Sequence, residues 1–329
     1  MARTEASGRP RPAGGRLRGR RVVLLVAALT LAVVGATLAW RPGSLSELLG
    51  AGSGSSEGEP LDPSAFAAGS CMAFEPTSGD RGQTVFLDAG HGGIDPGGVG
   101  TTEGGQTVYE ATETLPVELD VSALLRARGF RVVVSRTGAS TVLRLGPADV
   151  DGGVLTLQGA HDDVAARDQC ANLAGADAMV GIYYDAGASS SDAGSLTAYD
   201  TARPFSSANQ RLATLLQRDV VADMDAQGWG IPDDGAQTDS QLGSLVGTPS
   251  SGGLAAEAAA YNHLLLLGPV EPGFFTTPSQ MPGAVIEPLY LTDPFEGSIA
   301  ASVHGQQVIA EGIATAVEQY LGVKGSTGG

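Results

Sequence analysis

The chain has 329 residues and a formal net charge of −17. That charge is unevenly spread: residues 1–21 hold seven arginines against Glu5, a local +6, so the remainder carries −23. A body that acidic lacks the basic phosphate contacts on which nucleic-acid affinity rests, and nucleic acid is excluded as a partner.

The arginine block runs into Val22–Trp40, nineteen residues without a charge and rich in Leu, Val and Ala. That length is close to the roughly 20 apolar residues a helix needs to cross a bilayer. An Arg-rich flank stays cytoplasmic, so the expectation is a basic cytoplasmic segment at 1–21 and a single-pass transmembrane anchor at 22–40. Everything after Trp40 is then extracytoplasmic, attached to the cell membrane. A cleaved signal peptide is the alternative, with Thr37-Leu38-Ala39 as its small-residue site and a secreted remainder. Residues 41–83 turn to Gly, Ser, Pro, Ala and Glu without apolar periodicity, as a flexible tether does.

One domain is expected over 84–321, with 322–329 a disordered tail. TVFLDA (84–89) has the pattern of a buried strand running into a Gly-rich turn. Glu110–Arg128 carries a helical rhythm, with Gly129 as its C-cap residue, and FRVVVS (130–135) is a second strand. Asp163–Ala174 predicts a helix, AMVGIYY (178–184) a strand and Asn209–Gln227 an amphipathic helix. Leu264–Leu267 and Ala284–Leu289 predict short strands, and Ser302–Tyr320 a terminal helix. This alternation implies an α/β domain with a mostly parallel twisted sheet flanked by helices. Two Gly/Ser/Asp-rich stretches, 138–161 and 228–262, are surface insertions on this reading. Cys71 and Cys170 permit a single intramolecular pairing in an oxidising compartment, so a disulfide is expected; two unrelated thiols are the alternative.

The chemistry concentrates in FLDAGHGGIDPGGVG, residues 86–100, where His91 sits just past a strand among glycines that let the backbone approach a ligand closely. Sites in open α/β sheets form outside the carboxyl ends of strands, which is where His91 falls. Glu287 stands in the apolar run VIEPLY, where an unpaired acid is costly.

Residues Asp88-Ala89-Gly90-His91-Gly92-Gly93-Ile94-Asp95-Pro96-Gly97 resemble the opening motif of the type 3, zinc-dependent N-acetylmuramoyl-L-alanine amidases, departing at Ala89. The resemblance extends to the Glu110-led helix, to Arg167 with Ala171-Asn172, and to Pro282-Gly283-Ala284-Val285-Ile286-Glu287. It implies a cell-wall hydrolase that cuts the amide between N-acetylmuramic acid and L-alanine of peptidoglycan. It also implies one zinc ion per chain with His91 and Glu110 as ligands and Glu287 as the general base. The family's third ligand, a histidine, is here Tyr183, within Gly181-Ile182-Tyr183-Tyr184-Asp185. A phenol must lose a proton to ligate well, so either Tyr183 binds as phenolate or Asp185 supplies the oxygen. His161, at the end of the first insertion, and His263, just past the second, could swing in as further donors, but as loop histidines they are expected to be solvated. The partners expected are peptidoglycan and, through the N-terminal helix, the membrane, with the chain a monomer. A degenerate amidase domain that binds peptidoglycan or regulates without cutting is the alternative function.

Overall fold

The computed structural model describes residues 58–241 and 254–322. The basic segment, the expected anchor at 22–40 and the tail beyond Gly322 lie outside the described residues. Among the described residues no helix is long and apolar enough to cross a membrane.

In chain order the elements are β1 (Glu59–Pro60), β2 (Ser70–Phe74), β3 (Thr84–Ala89), β4 (Val99–Thr101), β5 (Thr107–Tyr109), α1 (Glu110–Ala127), β6 (Arg131–Arg136), β7 (Val150–Asp151), β8 (Val154–Leu155), α2 (Leu157–Ala174), β9 (Ala178–Ile182), β10 (Ser195–Tyr199), α3 (Ser206–Ala226), β11 (Asp233–Thr238), α4 (Leu254–Tyr261), β12 (Gly283–Glu287), α5 (Pro294–Ala300) and α6 (Val303–Gly322). Eight strands form one sheet in the order β1-β2-β6-β3-β9-β12-β10-β11. Its centre, β6-β3-β9-β12, is parallel, whereas β1, β2 and the β10–β12 pairing are antiparallel. The sheet is therefore mixed.

Strand side chains alternate between two faces, and the apolar residues obey that period strictly. Val85, Leu87, Val132, Val134, Val180, Ile182, Ala284 and Ile286 pack into one core with Val117 and Val121 of α1, Leu212 and Leu216 of α3, and Ile309 and Ile313 of α6. The intervening Phe86, Val133, Met179 and Val285 face the other way, onto Ala166, Cys170 and Ala171 of α2. Central strands buried on both faces read as continuous apolar runs, which is why β3, β6, β9 and β12 stand out in the sequence.

The remaining elements differ from expectation for physical reasons. The tether assigned to 41–83 ends early: β2 within it pairs with β6, and Cys71 at its start is joined to Cys170 of α2. The insertion at 138–161 holds the β7–β8 hairpin and the start of α2. That helix starts at Leu157, six residues before Asp163, because the Thr156 side chain caps it, accepting from the Gly159 N–H at 3.0 Å. His161 is consequently buried against Phe274. The insertion at 228–262 contains β11, which extends the sheet parallel to β10, and α4. Leu264–Leu267 is not a strand; it closes a turn, with the Leu267 and Gly268 N–H groups donating to Leu264 O. Its buried leucines cover the α2-side face of the sheet instead.

Candidate functional site

The site begins with a backbone turn. At the end of β3 the chain reverses with His91 in the left-handed region, φ 59°, and swings its imidazole clear of the pleat. A non-glycine there is strained by roughly 1–3 kcal/mol and persists only when the surroundings hold it. Two buried arginines do so. Arg167 donates to Ala89 O and His91 O, both at 2.8 Å, and Arg136 donates to Ala89 O and Gly90 O, both at 3.2 Å. Arg167 is itself balanced by Asp88 at 2.6 Å and Asp163 at 2.8 Å. Glu118 of α1 adds a third clamp: its Oε1 accepts from Ala89 N and from both the amide and hydroxyl of Ser135. Burial pushes the Glu118 carboxyl up to about 8, against the pull of the nearby Arg136.

The glycine turn then brings Glu110 to His91. A Cβ at Gly97 would stand 2.5 Å from the His91 ring and 2.7 Å from Glu110 Oε2, so only glycine admits this approach. His91 Nε2 lies 3.1 Å from Glu110 Oε2, and its Nδ1 lies 2.8 Å from Asp95 Oδ2. Glu110 is fixed by N–H donors from Gly98 (2.7 Å) and Tyr184 (3.0 Å). Burial disfavours the imidazolium, but the carboxylates of Glu110 and Asp95 outweigh it and carry His91 up to about 10.

Glu287, at the end of β12, and Asp185 complete the wall of a cleft of about 310 Å³ that also includes His91 and Glu110. Burial first, then the charges of Asp185 and Glu110, raise Glu287 to about 8. The cleft thus holds more carboxylates than its one imidazole balances, which raises the proton affinity of both His91 and Glu287.

Tyr183 is placed otherwise than a ligand would be. It follows the pleat of β9 onto the α2-side face, shared with Asp88, and its hydroxyl donates to Asp88 Oδ2 at 3.0 Å. Burial and the Asp88 charge raise the phenol well above its ordinary value, so a phenolate ligand at this position is disfavoured. A catalytic zinc takes three protein ligands from N and O donors. His91 and Glu110 face each other as two such ligands do, and the surplus negative charge suits a dication. Asp185 lines the cleft, as the Tyr183 ring also does, and here its carboxyl pairs with Glu287. Donor chemistry and charge at His91 and Glu110 suit a dication, but among the described residues no third His, Cys, Asp or Glu donor converges with them. The clamps Arg136 and Glu118 escape sequence reading, since nothing in their spacing ties them to residue 89.

A family model described as N-acetylmuramoyl-L-alanine amidase matches residues 85–319. Among curated proteins none matches the sequence. Among solved structures, the chain is similar to the CwlD amidase from Clostridioides difficile, solved in complex with the GerS lipoprotein, at 19% identity and a TM-score of 0.52, covering 74% of this chain and 100% of that one. It is similar also to the amidase AmiC2 of Nostoc punctiforme, at 21% identity and a TM-score of 0.50, covering 74% and 99%. At these identities the likeness is one of fold.

Proposed function

The chain belongs to the N-acetylmuramoyl-L-alanine amidase family, and from that premise we propose that its cleft cuts the peptidoglycan amide between the muramic acid lactyl group and the first L-alanine of the stem. The observation that carries the reading is the facing pair His91 and Glu110 with a protonable Glu287 on the same cleft wall.

Zinc would be held by His91 and Glu110, and the chemistry it supplies when bound is that of a Lewis acid toward the amide carbonyl and water. The protein's own residues do the rest. Asp95 holds the His91 ring by Nδ1, which leaves Nε2 facing Glu110. The Gly98 and Tyr184 amides fix the direction of Glu110. Glu287 takes the proton from water and delivers it to the departing alanine nitrogen, a transfer for which a carboxyl poised near neutrality is suited. The Arg-rich block and apolar run at the start of the chain support a membrane-tethered domain on the outer side, where this substrate lies. It works there as a monomer.

Incubating the purified full-length chain with peptidoglycan tests the reading: new alanine amino termini should appear, Glu110→Gln should lower zinc affinity about tenfold, and Tyr183→Phe should leave it unchanged. Zinc lost with Tyr183→Phe and kept with Glu110→Gln would reverse the ligand assignment. The position of Tyr183 favours a second reading, in which the domain grips peptidoglycan without cutting. Stoichiometric binding to peptidoglycan with no amine release would establish that one.

A further inference from the structure

β10 and β11 run parallel to each other, with β10 opposite in direction to β12. Their carboxyl ends therefore lie at the sheet edge away from His91 and Glu287. Asp200 follows β10, Asp239 follows β11, and His263 follows α4. One donor atom from each converges within 4.8 Å, and this is the only such group of His, Cys, Asp and Glu among the described residues.

His263 Nδ1 lies 2.8 Å from Asp200 Oδ2 and 3.3 Å from Asp239 Oδ2. Both aspartate side chains are fully buried, 0% exposed. Yet the contacts are out of line for hydrogen bonding: Asp200 Oδ2, Asp239 Oδ1 and His263 Nδ1 have no hydrogen-bond partner. A buried aspartate oxygen without a partner is expensive. Bonds of about 2.0–2.2 Å to one ion at tetrahedral or octahedral angles would set its donors about 3–3.5 Å apart, close to the spacing seen.

The other oxygens are already spoken for. Asp200 Oδ1 accepts from Ala202 N (2.7 Å) and Arg203 N (2.9 Å), and Asp239 Oδ2 also accepts from Leu264 N (3.1 Å). Arg203 is the nearby fixed cation, but its guanidinium donates to the carbonyls of Leu267, Gly268 and Ser279 rather than to Asp200 Oδ2. Asp168 adds another buried carboxylate to the surroundings of Arg203.

We propose that Asp200, Asp239 and His263 form a second metal site, separate from the cleft, that takes a zinc-class divalent transition ion. An imidazole beside two carboxylates selects such an ion over calcium or magnesium, which favour all-oxygen sets. The ion would join the ends of β10, β11 and α4. It also fixes Leu264, whose amide rests on Asp239 and whose side chain lines the cavity behind His91. The proposal rests on no part of the amidase reading.

The test uses the full-length chain, stripped by chelator and titrated with zinc chloride, in a His91→Ala background that removes the cleft's imidazole. One zinc per chain should still bind, and adding His263→Ala should weaken that binding at least tenfold. Calcium at the same concentration should not displace it. With cobalt in place of zinc, His263→Cys in the otherwise wild-type chain should show a thiolate-to-cobalt absorption band, which reads the site even if His91→Ala folds poorly. No zinc in the His91→Ala chain, zinc affinity indifferent to His263→Ala, displacement by calcium, or no cobalt–thiolate band would each overturn the proposal.

Discussion

The chain leaves β3 and β9 side by side and reaches the same cleft, yet the two exits are held in opposite ways. After β3 the backbone breaks out of the extended conformation at His91, and buried arginines on the carbonyls of residues 89–91 keep it there. After β9 the backbone stays in register, so Tyr183 obeys the pleat and ends on Asp88 in the core. His91 reaches the cleft by a left-handed turn and Glu110 by opening a helix, whereas Glu287 reaches it from the last position of its strand. Residue type alone does not decide this; backbone conformation does.

The contrast separates residues that do chemistry from residues that hold the frame, and four changes probe it. The largest effect is expected from Glu287→Gln, which should cut turnover on peptidoglycan by about 10²–10⁴-fold with zinc content and melting temperature near wild type. Retained turnover would move the proton-transfer role elsewhere. Arg167→Met strips the partner from buried Asp88 and Asp163, and should cost about 3–5 kcal/mol in denaturant unfolding. A loss under 1 kcal/mol would mean that the His91 turn holds itself. Tyr183→Phe deletes the donor to Asp88 and should cost about 1–3 kcal/mol with turnover little changed, placing Tyr183 with the frame.

The smallest effect concerns pH. Glu118 is raised in the folded chain to about 8 from an ordinary 4.5, so the native state holds its proton more tightly than the unfolded one. Its stabilising contribution is complete below about pH 4.5 and is lost as pH rises through about 8. Glu118→Gln keeps a neutral acceptor at that position, so its unfolding free energy should fall less than wild type's between pH 5 and 8. Parallel curves would show that Glu118 is ionised throughout.

Much of the frame is legible in the amino acids because central strands are buried on both faces: TVFLDA, AMVGI and GAVIE are mostly apolar and buried at every position but Thr84. The edge is not. β11 is DDGAQT, whose outer positions meet water and so carry no apolar signal. Leu264–Leu267 misleads for the converse reason, since four buried leucines can cap a sheet face from a turn as well as from a ladder. In the site, His91 is marked by the glycines around it and Glu110 by the resemblance of the helix it opens, whereas the direction of Tyr183 depends on a register that only the assembled sheet defines. Asp200, Asp239 and His263 come from three separate elements, and no local spacing announces their meeting.

The bridge from Cys71 to Cys170 sets how the domain bears load. A pull on the chain ahead of Glu59 would enter at β1, which is paired only to β2, and would first unzip that two-residue ladder. The next rungs join β2 to β6 and would open one after another like teeth. Cys71 is the second residue of β2, so the covalent link intercepts the tear almost where it starts. Beyond that point tension passes through sulfur into α2, a helix seated against β3 and β6, and spreads over a packed face. Drag on the leading segment is thereby shunted sideways, and the strand leading to His91 is spared the strain.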